Sequence, residues 1–154
     1  MLSRDEIYRF KPIGVIHSPF KSRGEAPYQG IFSDKISEIE VFKEYEDGLK
    51  DVESFSHLII LYLFHESKGY TLTVVTPWDH QPHGVFATRS PYRPNPIGFS
   101  IVELVERRGN ILRVKKLDAV DGTPLLDIKP YIPVSYTHLR AHETEADLVC
   151  RLLL

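Results

Sequence analysis

Cysteine is almost missing from this chain. The single one, Cys150, lies close to the C-terminus. One cysteine can close no disulfide within the chain, and a zinc site built on several thiolates is excluded. This composition fits a reducing compartment, and a cytoplasmic location is the expectation. Long apolar runs are also missing: the longest, Leu58 to Phe64, is far too short to cross a bilayer as a helix. The N-terminus, MLSRDEIYRF, is polar and has no signal-peptide pattern. A basic surplus is missing as well, with 19 Lys and Arg against 21 Asp and Glu for a net charge of −2. A general, salt-driven grip on nucleic acid needs such a surplus. What remains is a set of small basic groups: Lys21 with Arg23, Arg89 with Arg93, Arg107 with Arg108, and Arg113 with Lys115 and Lys116. They could rim a site that meets RNA at one loop. Finally, no G-x-G-x-x-G follows a strand, and strands do not alternate regularly with helices. A doubly wound nucleotide-binding sheet is therefore disfavoured.

What the chain does have is short strands and two stiff polar runs. At 154 residues, 42% hydrophobic and 26% charged, it has the make-up of one globular domain with a real core. Strands are expected over Tyr8–His17, Ser37–Phe42, Leu72–Val75, Ile101–Glu106 and Ile111–Lys116. His57–Phe64, a continuous apolar run, suits a strand buried on both faces. Lys43–Glu53 places Tyr45, Leu49 and Val52 on one helical face. Arg107-Arg108-Gly109-Asn110 reads as a hairpin turn. Together these predict a mainly β fold, a single barrel of short curled strands with one or two short helices.

The first stiff run, residues 84–100, reads GVFATRSPYRPNPIGFS. Its prolines make it a poor helix and a poor central strand, so it is expected to be a shaped loop presenting side chains to a ligand. The second, LDAVDGTPLLDIKPY at 117–131, has the same character. Asp121-Gly122-Thr123-Pro124 within it is a tight-turn sequence. His80 and His83, close to Asp79, suggest a polar loop rather than a metal site, because no third strong ligand stands near them.

These runs, with IGVIHSP at 13–19, FSHLIILYLFHE at 55–66, VEL at 102–104 and RPNPIG at 93–98, resemble the signature blocks of the TsaA-like family. That family comprises tRNA methyltransferases that use S-adenosylmethionine to methylate N6 of threonylcarbamoyl-adenosine beside the anticodon. The resemblance covers nearly all of residues 8–133. It implies a TsaA-like β-barrel that pairs as a homodimer with the cofactor near the subunit interface. It also implies a tRNA substrate and no role for metal or membrane. The cofactor residues it implies are Pro27, Tyr28 and Gln29, His65 and Glu66, Arg89, Phe99, and Asp121, Gly122, Thr123 and Pro124. Many relatives carry Gln at Glu66 and Arg at Tyr28. Arg89 has the planar fork that suits a carboxylate, from the cofactor or from the threonyl group. Methyl transfer is an in-line displacement that gains mainly from alignment. A base would help remove the N6 proton, and Asp127, Lys129, Tyr131 and Asn95 are the residues that could act there.

Residues 134–154 fall outside the resemblance. Val134–Glu143 and Leu148–Leu154 resemble an in-frame translation of the two sides of a transposon-type sequencing adaptor, with the variable index across Thr144–Asp147. The competing reading is an amphipathic helix with Leu139, Ala146, Val149, Leu152 and Leu153 on its apolar side. On the adaptor reading, residues 1–133 are the domain, 134–154 are a non-native tail, and the natural C-terminus is missing, which leaves room for a further domain. Two rivals to the enzyme remain: a barrel that binds the cofactor as a sensor without transfer, and an RNA-binding barrel with a structural role.

Overall fold

In the computed structural model, residues 3–22, 24 and 34–132 are described. Among the described residues eight strands run in chain order: β1 (Gly14–His17), β2 (Ile36–Val41), β3 (His57–Leu63), β4 (Thr73–Val75), β5 (Pro82–Gly84), β6 (Ile97–Arg108), β7 (Ile111–Lys115) and β8 (Thr123–Pro130). Six of them close a barrel in the order β1-β2-β7-β6-β3-β8, and β4 and β5 form a separate two-stranded sheet. Every pairing is antiparallel, including β8 with β1, which seals the seam.

Alternation decides which side chains fill the barrel, because successive residues of a strand point to opposite faces. On β2 the inward set is Ser37, Ile39 and Val41; on β3 it is Leu58, Ile60 and Tyr62; on β7 it is Leu112 and Val114. With Ile16, Val102 and Leu125 they form one core. β3 is therefore not buried on both faces as its unbroken apolar run suggested. His57, Ile59, Leu61 and Leu63 keep partial exposure, since the outside of so small a barrel has little to cover it.

Three further differences from the sequence reading have local causes. The first strand begins only at Gly14, and residues 8–12 run exposed. The helical stretch is 3-10 rather than α, Lys43–Leu49 and then Val52–Ser54, broken at Asp51 with φ 73°. Most importantly, both stiff runs end in strand. β6 starts at Ile97, inside the first run, and β8 occupies Thr123–Pro130 of the second. The prolines of β8 sit at its second and last positions, close to where a ladder tolerates them. The β6–β7 hairpin turns at Gly109-Asn110 as expected, with Gly109 at φ +58°. Its tip is tied to β2, since the Asn110 side-chain amide donates to the Val41 carbonyl at 2.8 Å.

Residues Leu117–Val120, between β7 and β8, are buried and pack against the interior. They bring Asp118 inside: its Oδ1 accepts from the Tyr62 hydroxyl and from Ser100 Oγ, each at 2.8 Å. Burial, and then the charge of Asp118, push the Tyr62 phenol far above its ordinary pKa. Tyr62 lies opposite Gly98 in the β3–β6 ladder. A Cβ on Gly98 would overlap the Tyr62 ring, so glycine is the residue that lets the ring lie flat there. No helix among the described residues is long and apolar enough to cross a membrane.

Candidate functional site

The end of β3 and the two stiff runs meet at one end of the barrel and enclose two adjoining clefts. The smaller, about 240 Å³, is lined by Tyr62, Phe64, His65, Glu66, Ser67, Pro91, Tyr92, Ala119, Val120 and Thr123. The larger, about 540 Å³, is lined by Phe64, Thr88, Arg89, Arg93, Asn95, Ile97, Gly98 and Phe99. Phe64 belongs to both walls, and its ring meets Tyr62 edge-on at 5.5 Å. These sizes, the aromatic walls and the few polar groups suit a small-molecule site.

The sequence holds this end together by hydrogen bonds from the stiff runs. The Phe64 amide donates to Pro96 O at 2.8 Å, and Ser67 Oγ donates to Pro91 O at 2.8 Å. Arg93 acts as a brace: its Nη1 donates to the carbonyls of Thr88 and Ser90 at 3.1 and 3.0 Å. Proline supplies the fixed φ and Arg93 the crosslinks, so residues 88–96 keep a set shape without regular structure.

Arg89 is different. Its guanidinium lies over the Phe99 ring, 5.8 Å from the centroid. Its Nη1 is buried and has no hydrogen-bond partner among the described residues. A buried donor on a cation left without an acceptor is costly, and a guanidinium matches a carboxylate or phosphate.

The structure gathers some of the residues singled out from the sequence and separates others. His65, Glu66 and Thr123 line the smaller cleft; Arg89, Phe99 and Asn95 line the larger. His65 Nε2 stands 4.0 Å from Glu66 Oε1. Asp121 is not among the residues that line either cleft. Its Oδ1 accepts from the Ser18 amide at 2.9 Å and its Oδ2 from Lys21 at 3.2 Å. The Ser18 bond foremost, with Lys21 behind it, holds the Asp121 carboxyl below its usual range. Gly122, at φ +85°, makes the turn that delivers Thr123, and Pro124 pairs with Val15 in the seam. Asp127 and Lys129 form an ion pair at 3.0 Å with both side chains about half exposed. Asp127 lines a different hollow, beneath the 3-10 segment with Glu44 and Asp47. Tyr131 is buried edge-on to His57 beyond the far end of β8. At about 3.3 Å per residue, the eight steps from Thr123 to Tyr131 span roughly 26 Å. Pro27, Tyr28 and Gln29 lie outside the described residues, as does the tail 134–154. Among the described residues no group of three or more His, Cys, Asp or Glu could hold a metal.

Sequence reasoning passed over Tyr62, Ser100 and Asp118. The available signal was Asp118 itself, a lone acid between Leu117 and Ala119-Val120, in a stretch too apolar to lie on the surface.

A closed six-stranded barrel with paired clefts at one end is a small β-barrel of ligand-binding shape. The sequence profile of the tRNA-methyltransferase O N-terminal domain matches residues 15–136, and the chain belongs to that family. It is 57% identical over 125 residues to a probable S-adenosyl-L-methionine-binding protein of Archaeoglobus fulgidus, covering 81% of this chain and 34% of that protein. A probable S-adenosyl-L-methionine-binding protein of Pyrococcus abyssi is 55% identical, with 80% of this chain and 68% of that one covered. The tRNA (adenine(37)-N6)-methyltransferase of Escherichia coli is 44% identical, with 82% and 58% covered. The crystal structure of TrmO from Pseudomonas aeruginosa superposes with a TM-score of 0.69 at 32% identity, covering 90% of this chain and 62% of that one. The chain thus spans about a third of the A. fulgidus relative and under two thirds of both the E. coli and the P. aeruginosa proteins.

Proposed function

We propose that this chain binds S-adenosylmethionine in the paired clefts and methylates N6 of threonylcarbamoyl-adenosine next to the anticodon of tRNA. The observation that carries the reading is Arg89, whose buried Nη1 has no partner among the described residues and suits an anionic acceptor. A carboxylate from the methionine end of the cofactor, or from the threonyl group of the acceptor, satisfies it. The donor set otherwise fits the cofactor: Phe64 and Phe99 offer faces for an adenine, and His65, Glu66 and Thr123 offer polar partners. When bound, S-adenosylmethionine supplies the electrophilic methyl group. The residues of the chain hold and align the reactants, which is where an in-line displacement gains most. Asn95 is the acceptor-side residue placed in the larger cleft, where its side-chain oxygen can accept from the N6 amino group. The carbamoyl substituent already acidifies that proton, so the demand on a base is modest. Asp127, Lys129 and Tyr131 keep structural parts in this reading. A homodimer and a cytoplasmic setting belong to the same proposal, from the likeness to the TsaA-like family.

The test is transfer of label from S-adenosylmethionine to tRNA carrying threonylcarbamoyl-adenosine, with unmodified tRNA beside it, using the full chain. Label in the modified tRNA alone is the expected result. Arg89→Ala should weaken cofactor binding or transfer at least tenfold, about 1.4 kcal/mol. Cofactor binding without transfer would favour a sensor, a reading that the binding-protein names of the archaeal relatives support. Neither binding nor transfer would refute the proposal.

A further inference from the structure

Asp118 is the only buried Asp, Glu, Lys or Arg among the described residues. No ion pair to it occurs among them. The barrel interior around it is filled by Ile, Val and Leu. A lone carboxylate is a costly way to hold such a core, because apolar side chains of similar volume often serve stability as well or better.

The position of Asp118 accounts for that cost. Residues 117–120 belong to no strand, so no ladder sets where this connector lies. Ser18 Oγ ties Ala119 O toward β1 at 2.7 Å. The Asp118 bonds to Tyr62 and Ser100 carry the connector onto β3 and β6, through one oxygen that accepts both. Hydrogen bonds to a carboxylate are stronger than neutral ones. Each of the three segments then continues into a cleft wall. β3 runs on into Phe64 and His65, β6 carries Gly98 and Phe99 just before Ser100, and the connector runs on into Ala119 and Val120. The Tyr62 ring also lies against Gly98, which leaves it no room to shift toward β6.

The geometry points to Asp118 as a positioning residue: with Tyr62 and Ser100 it sets the connector wall against the β3 and β6 walls, and so fixes the alignment of what the two clefts hold. That the contents are S-adenosylmethionine and its acceptor rests on the preceding proposal; the setting of the walls does not.

The test separates alignment from stability. A triple variant of the full chain, Tyr62→Phe with Ser100→Ala and Asp118→Val, removes the carboxylate and both hydroxyls together, so none of the three is left unpaired. It should unfold at a temperature close to that of the wild type. It should nevertheless lose cofactor affinity by calorimetry, or transfer at saturating substrates, at least roughly tenfold. Asp118→Asn, whose side-chain oxygen can still accept from both hydroxyls, should recover most of both. Hydrogen exchange without ligand gives a second readout. The amides of Phe64 and Thr123 donate to Pro96 O and Val120 O at the cleft end, and that of Val41 donates to Asn110 O at the far end. The first two should exchange faster in the triple variant and in Ser100→Ala, and Val41 should keep its rate. If the triple variant does not fold, Ser100→Ala decides by the same three amides. A triple variant that binds and transfers like the wild type would overturn the proposal. So would exchange that quickens equally at both ends, because the network would then serve only overall stability. No cofactor binding by the wild type, with exchange quickened at the cleft end alone, would remove the methyltransferase reading and leave the positioning role standing.

Discussion

Replacing Tyr62 by Phe isolates one buried interaction. The ring stays, so the wall of the smaller cleft and the cover over Gly98 are kept. Only the hydroxyl leaves, and with it one of the two side-chain donors to Asp118 Oδ1. Tyr62 is 2% exposed and Asp118 is 5% exposed, so water cannot readily replace the donor. A hydrogen bond to a charged group contributes about 1.5–3 kcal/mol, and Tyr62→Phe should lower unfolding stability by about that much. Urea denaturation at neutral pH measures it, read from the midpoint at constant m. The pH dependence supplies a second reading. Burial raises the folded-state pKa of Tyr62 well above the ordinary phenol value, about 10. Its contribution is therefore fully present below that pH and falls as the unfolded phenol ionises above it. Between neutrality and alkaline pH, the wild type should lose more stability than Tyr62→Phe. A change under about 0.5 kcal/mol at neutral pH, the size of an ordinary surface substitution, would refute the reasoning. So would identical alkaline profiles.

Gly98→Ala should destabilise the barrel by about 1–3 kcal/mol, the cost of overpacking a filled core. Its methyl would press on a Tyr62 ring anchored through its hydroxyl to Asp118, and thermal unfolding reads the loss. Asp121→Asn should remove an acid-dependent part of stability. The Asp121 carboxyl is held below its usual range, so its contribution is present above the ordinary carboxylate pKa, about 3.9, and is lost as pH falls below it. The wild type should therefore lose more stability than Asp121→Asn on acidification, as denaturant midpoints across that window would show.

Much of the barrel was legible because alternation shows directly which side chains point inward. Ile39 and Val41 on β2, and Leu112 and Val114 on β7, could be placed inside without any coordinates. Gly109-Asn110 likewise announced its turn. Proline misled the reading of the stiff runs. Pro124 and Pro130 suggested a loop, yet β8 tolerates them near its ends and closes the barrel. That strand also spreads the residues of the second run. Asp127, Lys129 and Tyr131, named with Asn95 as residues that could act as a base, lie along or just past an extended strand that carries Tyr131 to its far end. Arg89, Asn95 and Phe99 came together because residues 88–96 do form a braced loop. Asp118 went unread because its partners, Tyr62 and Ser100, are 56 and 18 residues away in the chain, and no local pattern links them.

The seam between β1 and β8 also bears on how the chain reaches its native state. Gly14 pairs with Leu125, so closure must wait until nearly the whole barrel sequence is available. Such distant pairing slows folding, because the entropy of a long loop is lost before any contact rewards it. Until β8 docks, β1 and β3 each present an unpaired edge, the kind of surface on which chains pair with one another. A chain stopped short of residue 123 would keep both edges open permanently. Its failure would appear as aggregation during synthesis, before any ligand could be tested.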